Sequence, residues 1–393
     1  MNILALCPGV PAADAKGYQV LGFYRLRHLA RQHQVHVICF GHGEADEMRK
    51  KTLEALGISV QMLRWQWTEA IRYGFAALFD DRMPFQCALF SSNRFRHAVK
   101  YATQNTRVDA VYGITIRILP NIVEQPGRLL LDLVDSMALN FSRRMEKAHG
   151  VNRWLLGIEH VRVAAYEKAA ALGASACFVV SNVDQRKIGE ANVQAIPLGI
   201  DTTRFGRLPS RDAPPVVAFT GNMGYQPNIE AVLWFTKNCW PAVRHAVPDA
   251  RLVVAGSNPV PAIRALASDG SISVTGRVVS IADVLHGSQV AVAPMQSGSG
   301  MQFKILEAMA CGLPVVATMI GKGDIAATDG TEIALADAAA DFAFAVSSLL
   351  QSPSRRKVIG DGAQCFVRTN HSWEVLNERF ARRCRLSEPG TNG

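Results

Sequence analysis

No stretch of this chain carries the roughly 20 consecutive apolar residues that a membrane-spanning helix needs. Met1–Pro8 passes straight into a strand pattern, without the basic opening of a secretion signal. Both absences point to a protein that stays in the cytoplasm. The eight cysteines, at 7, 39, 87, 177, 239, 311, 365 and 384, form no CxxC pair and cluster with no histidines. That spacing indicates neither a zinc site nor a disulfide framework, and Cys39, Cys177 and Cys311 read as small core residues in apolar stretches. No GxGxxG follows the first strand pattern, which speaks against a dinucleotide-binding dehydrogenase. Acidic residues are the scarcer charge, 33 against 42 basic, leaving a net +9. Such a balance favours anionic partners: nucleotide phosphates, phospholipid head groups or nucleic acid.

What the chain does have is length and rhythm. Its 393 residues exceed one ordinary core and suit two domains of just under two hundred residues each. The most informative stretch is Val290–Thr318, VAVAPMQSGSGMQFKILEAMACGLPVVAT. It reads as a strand, a Ser/Gly loop, a helix ended by Gly312 and Pro314, and a second strand. A strand feeding a Gly-rich turn into a helix leaves backbone N–H groups unpaired at the positive end of the helix dipole, where an anion belongs. Lys304 and Glu307 stand three residues apart on one helix face. An ammonium there can hold a phosphate, and a carboxylate can accept from the vicinal hydroxyls of a ribose. Local readings stand beside these. Ser299 and Gln302 have capping-box spacing, and Lys304 and Glu307 could be a surface pair. Against the second reading, Ile305, Leu306, Ala308 and Met309 leave the helix only a narrow polar strip, where a charge needs a partner.

At these residues the sequence resembles the retaining family 4 glycosyltransferases, whose signature LEAMACGLPVVAT follows closely. The resemblance covers nearly the whole chain. It implies an α/β GT-B fold: two doubly wound Rossmann-like domains facing each other across a cleft, with a C-terminal helix crossing back to the first. In the family a Glu, seven residues and a second Glu contact the donor sugar and the ribose. Glu307 matches the second, but Ser299 occupies the place of the first, so a GSG loop and a lysine replace it. The wording is similar to sugar transferases of bacterial exopolysaccharide and exosortase gene clusters.

The expected domains are residues 1–194, an acceptor-side unit; 195–369, the nucleotide-sugar unit; and 370–393, a crossover helix and tail. In the first, Pro8–Gly17 is a loop after the opening strand, with Gly17 a candidate for close approach to a ligand or merely the residue before a helix. Asp132 and Asp135 end the strand pattern LLLDLVD. Since this chain lacks the histidine that relatives often place there, Asp135 is the candidate for the transferred sugar or the acceptor hydroxyl. Leu63–Phe79, rich in Trp, Phe and Arg, reads either as a core-packing helix or as one that lies in a bilayer interface. Ser136–Gly173 reads as helical with a break at Gly150 and a mostly solvated basic face. In the second domain Gly221 and Asn222 occupy the family's Gly-rich turn, but the basic pair that should follow is absent, leaving Lys304 to supply the charge. Arg277 and Val278 resemble the loop that holds the nucleobase, Arg277 being otherwise plain surface. Gln364–Arg385 reads as one final helical stretch.

The resemblance implies a retaining, metal-independent transfer from a nucleotide-diphosphate sugar to a glycan or polyprenol-linked acceptor. The aromatic and basic residues of Leu63–Phe79 and the net charge of +9 favour peripheral contact at the inner face of the plasma membrane. Donor contacts would be Gly17, Gly221, Asn222, Arg277, Val278, Gly298, Ser299, Gly300, Met301, Lys304 and Glu307. Lys304 and Asp135 would act in catalysis. No cofactor, no metal ion and no nucleic acid are expected, consistent with the lack of a DxD motif. The rivals are a sugar-nucleotide epimerase or hydrolase on the same fold, and a non-catalytic GT-B partner protein.

Overall fold

The computed structural model describes residues 1–122, 127–146, 148–206, 215–297 and 301–384. It divides into two compact units, one of Met1–Leu198 together with the chain from Leu376 onward, the other of Gly199–Val375.

The first unit is built on a parallel sheet of β1 (Asn2–Cys7), β2 (Gln34–Phe40), β3 (Ser59–Leu63), β4 (Ala110–Ile114), β5 (Arg128–Val134), β6 (Ala176–Val179) and β7 (Val193–Ala195), in the order β3-β2-β1-β4-β5-β6-β7. Helices cover both faces, so each central strand is buried on both sides and appears in sequence as an unbroken apolar run. Leu4, Leu6, Ile38, Val111, Leu131 and Cys177 belong to one core cluster. β7 has no strand signature in the sequence; it pairs with β6 along Cys177–Val179.

A charge sits inside this core. Arg25, on the helix Gly17–Leu29, forms a salt bridge with Asp132 of β5, and both side chains are buried. Tyr112 donates its hydroxyl to Asp132 Oδ2 at 3.2 Å, and the Val134 amide donates to Oδ1 at 3.2 Å. The chain returns here from its end. Phe380, on the helix Trp373–Arg383, lies 4.2 Å from the Arg25 guanidinium and stacks against Tyr112 and Phe178, while Asn377 donates to the Tyr24 carbonyl at 3.0 Å. The expected single stretch Gln364–Arg385 is instead two helices, Pro353–Asn370 and Trp373–Arg383, with Arg385 outside the described residues. The break has a cause: the His371 carbonyl accepts from the Ile200 amide at 2.7 Å, and Ser372 caps the second helix through the Val375 amide.

The second unit has β8 (Val216–Thr220), β9 (Arg251–Ala255), β10 (Ile272–Gly276), β11 (Val290–Ala293), β12 (Val315–Ala317) and β13 (Ala334–Leu335), in the order β10-β9-β8-β11-β12-β13. From β8 the chain goes one way, through the helix Gln226–Asn238 to β9. From β11 it goes the other, through the helix Phe303–Ala310 to β12. Right-handed crossovers put these helices on opposite faces, each against its own apolar cluster. The C-terminal ends of β8 and β11 therefore form a topological switch point, where open α/β sheets bind ligands. Glycine makes the approach possible: a Cβ on Gly256, whose φ is +146°, would stand 1.7 Å from the Gly221 carbonyl oxygen.

Removing one partner of a buried ion pair strands the other. Asp132→Ala is expected to destabilise the first unit by about 3–5 kcal/mol, read in its urea unfolding transition. The exposed neighbour substitution Asp135→Asn should leave that transition in place. Equal effects of the two would show that Asp132 is not a structural anchor.

Candidate functional site

At the β8/β11 switch point one lysine organises the surroundings. Lys304 is the second residue of the helix Phe303–Ala310, close to its N-terminus. Its Nζ donates to Asn228 Oδ1 from the opposite helix, lies 3.5 Å from Met295 Sδ, and sits 4.8 Å over the Phe219 ring. Asn228 in turn donates to the Asn222 carbonyl at 2.9 Å, which fixes which end of its amide faces the ammonium. The methylene stem of Lys304 passes 3.6 Å from where a Cβ on Gly221 would stand. Burial lowers the lysine's pKa to about 8, against the raising effect of Glu307. An ammonium held by a neutral amide, a thioether and an aromatic face has given up much of its hydration, and among the described residues no carboxylate forms a salt bridge with it. An anion placed there would restore what it has lost.

One helical turn on, burial pushes Glu307 up to about 7, while Arg204 and Lys304 pull the other way. Among the described residues none donates a hydrogen bond to this carboxylate. Lys304 and Glu307 thus present a cation and an unengaged acceptor along one edge of one helix. A second carboxylate, Glu230, accepts from the hydroxyl of Ser297 just past β11 and from Gln226 at 3.0 Å; these hydrogen bonds hold it below the usual range.

Gly221 follows β8 directly, with a φ of +153°, and Asn222 is exposed beside it, its Oδ1 accepting from the Gly224 amide. Arg277 and Val278 follow β10, Arg277 exposed and Val278 half-buried. Met301 is half-buried against the apolar cluster beneath the Phe303–Ala310 helix. Gly298, Ser299 and Gly300 lie outside the described residues. Gln302 is the N-cap of the helix and makes no side-chain cap bond. That places it three positions earlier in the helix than a capping box anchored at Ser299 requires.

In the first unit, Gly17 opens the first helix with open space where a Cβ would stand. Asp135 is exposed past the end of β5, accepting from Asn140 at 2.7 Å. The backbone around it is strained. Val134 has φ +69° and Thr115, past β4, has φ +67°, conformations that β-branched residues rarely hold. Behind Asp135, the buried Glu167 carboxyl accepts from the Ser136 hydroxyl at 2.9 Å and from the Met137 amide, and burial raises its pKa to about 7.

Sequence reasoning missed Asn228, Glu230, Arg204 and Glu167. A search for a base after Gly221 passes over Asn228, although an amide beside the Pro227 that starts a helix marks a buried polar position. Glu230, Arg204 and Glu167 act across long separations, and no local signal distinguishes them.

Because anion binding should raise the Lys304 pKa from about 8 towards its ordinary value, inorganic pyrophosphate is expected to bind with net proton uptake near pH 8. Calorimetry in buffers of different ionisation enthalpy reads this directly. Lys304→Met should abolish the uptake; undiminished uptake in that variant would place the anion elsewhere.

Residues 214–352 match the family described as Glycosyl transferases group 1. The chain is 27% identical to a GDP-mannose-dependent monoacylated alpha-(1-6)-phosphatidylinositol monomannoside mannosyltransferase of Corynebacterium glutamicum, over 47% of this chain and 54% of that protein. It is 26% identical to a GDP-mannose-dependent alpha-(1-6)-phosphatidylinositol monomannoside mannosyltransferase of Mycolicibacterium smegmatis, over 49% and 56%. The chain spans about half the length of the curated relatives it matches. Among solved structures, Anabaena HepE in complex with UDP superposes with a TM-score of 0.64 at 16% identity, over 98% of this chain and 100% of that one. Sucrose-phosphate synthase of Thermosynechococcus elongatus gives 0.63 at 16%, over 98% and 99%. The match to a group 1 glycosyl transferase domain thus falls on the second unit, and the two parallel Rossmann-like sheets have the GT-B fold of the solved neighbours.

Proposed function

We propose that this protein transfers a sugar, with retention of configuration, from a nucleotide-diphosphate sugar to a glycan or polyprenol-linked acceptor in bacterial exopolysaccharide biosynthesis. It works in the cytoplasm at the inner face of the plasma membrane. The observation that carries the reading is the Lys304 ammonium, buried among neutral partners one turn from the unengaged Glu307 carboxylate. A nucleoside diphosphate offers the two complementary groups. The relatives are named for GDP-mannose, and the HepE structure holds UDP. Their shared part is the ribose and diphosphate, which Glu307 and Lys304 address. The base falls to the loop of Arg277 and Val278.

In this reading the diphosphate leaves on the face where the acceptor attacks, so the protein's task is to stabilise departing negative charge. Lys304 and the N-terminus of its helix do so electrostatically, without a metal ion. The bond from the anomeric carbon to the diphosphate oxygen breaks as the acceptor oxygen bonds to that carbon, and the acceptor proton passes to the leaving phosphate. Asp135 contacts the transferred sugar or the acceptor hydroxyl.

Glu307→Gln is expected to weaken donor binding by ~1.5–3 kcal/mol, the usual worth of a charge-assisted hydrogen bond, as a raised donor KM with the fold unchanged. Lys304→Ala should weaken UDP or GDP while sparing the free nucleoside. Unchanged donor kinetics in the first variant, or equal losses for nucleotide and nucleoside in the second, would overturn these assignments.

A further inference from the structure

The first unit leaves a broad apolar face uncovered. On the helix Trp67–Ala76, Trp67, Ile71 and Phe75 fall four residues apart on one side, and Leu78 and Phe79 extend the stripe; Trp67 is 72% and Phe79 81% exposed. Trp65, by contrast, packs on the core and donates to the Leu89 carbonyl at 3.1 Å, so the aromatic segment divides between core and surface. A second stripe runs along the helix Gly150–Gly173, where Val151, Trp154, Leu155, Ile158 and Val161 share one face. Trp154 is 65% exposed. The two stripes belong to one surface: Arg162, next to Val161, donates to the Ala77 carbonyl at 3.1 Å, and Glu159 accepts from the Gln86 amide at 3.3 Å. Beside the second stripe a groove of about 560 Å³, lined mainly by Met145, Trp154, Gly157, Ile158 and Val161, runs along the same helix.

We propose that this face inserts into an anionic lipid bilayer, with the groove taking up a hydrocarbon chain. Exposed apolar surface of this extent needs an occupant. Its composition fits a membrane: bulky aliphatic and phenyl groups along the stripes, tryptophans suited to the headgroup level, and exposed arginines 72, 143, 144 and 153 on the same helices and on the neighbouring Met137–Glu146. Asp80 and Asp81 lie past the end of the first stripe. The net charge of +9 works in the same direction. The sequence suggests the first stripe in Leu63–Phe79, whereas the second, on Gly150–Gly173, emerges only where the fold leaves it exposed.

The inference deepens the transferase reading by placing the first unit where a lipid-linked acceptor would be. Vesicle binding is measured without donor or acceptor, so its failure leaves the transfer reading untouched. Flotation with phosphatidylcholine vesicles, with and without phosphatidylglycerol, should show binding that depends on the anionic lipid and weakens with salt. Phe75→Glu and Ile158→Glu should each reduce it at least ~10-fold, and Phe344→Glu, an exposed apolar site in the second unit, should not. Brominated lipid should quench wild-type tryptophan fluorescence, and less so in Trp67→Phe/Trp154→Phe, which settles the matter should a glutamate variant fail to fold. Binding indifferent to phosphatidylglycerol, absence of quenching, or folded glutamate variants that bind as before would overturn the proposal. So would a dimer in vesicle-free solution that Ile158→Glu dissolves, since a second copy would then own the face.

Discussion

The surroundings of the β8/β11 switch point are organised by the buried Lys304 ammonium and its neutral partners. Lys304 lies where two helices on opposite faces of the sheet begin, and the fold surrounds its ammonium with an amide oxygen, a thioether and a ring rather than a carboxylate. Glu307, the nearest acid along the helix, raises the lysine's pKa against the effect of burial. The close passage of Gly256 by Gly221, and Asn228 bound to the turn after β8, fix the walls around the lysine. Preorganised charge of this kind does most where negative charge develops during a reaction.

The first unit solves the opposite problem. Its buried cation, Arg25, is paired with Asp132 and covered by Phe380, so the charge is spent on architecture. The same pair draws the end of the chain back onto the first sheet. Past the ends of β4 and β5, the strained backbone at Thr115 and Val134 and the Glu167 carboxyl bonded to Ser136 hold the segment that presents Asp135. Two aspartates three residues apart thus meet different surroundings, Asp132 buried in an ion pair and Asp135 exposed.

Much of this was legible in the sequence. β8, β9, β11 and β12 fall where their apolar runs place them, because strands covered on both faces need continuous hydrophobic segments. The break near Gly150 was equally visible. What was not legible depends on distant partners. The bond from Ile200 to His371 splits the last helical stretch, yet those residues stand far apart in the chain. Trp65 and Trp67 look equivalent in sequence, but one meets Leu89 and the other meets solvent. In the site, Lys304 and Glu307 were readable from helical spacing, whereas Asn228 and Glu230 join them only once β8 and β11 are neighbours.

A crystal structure with a bound nucleoside diphosphate tests the central claim most directly. The account predicts phosphate oxygens within hydrogen-bonding distance of Lys304 Nζ beside Gly221, and both ribose hydroxyls on the Glu307 carboxylate. A nucleotide seated in the second unit with its diphosphate away from Lys304, leaving the ammonium on Asn228 alone, would contradict it.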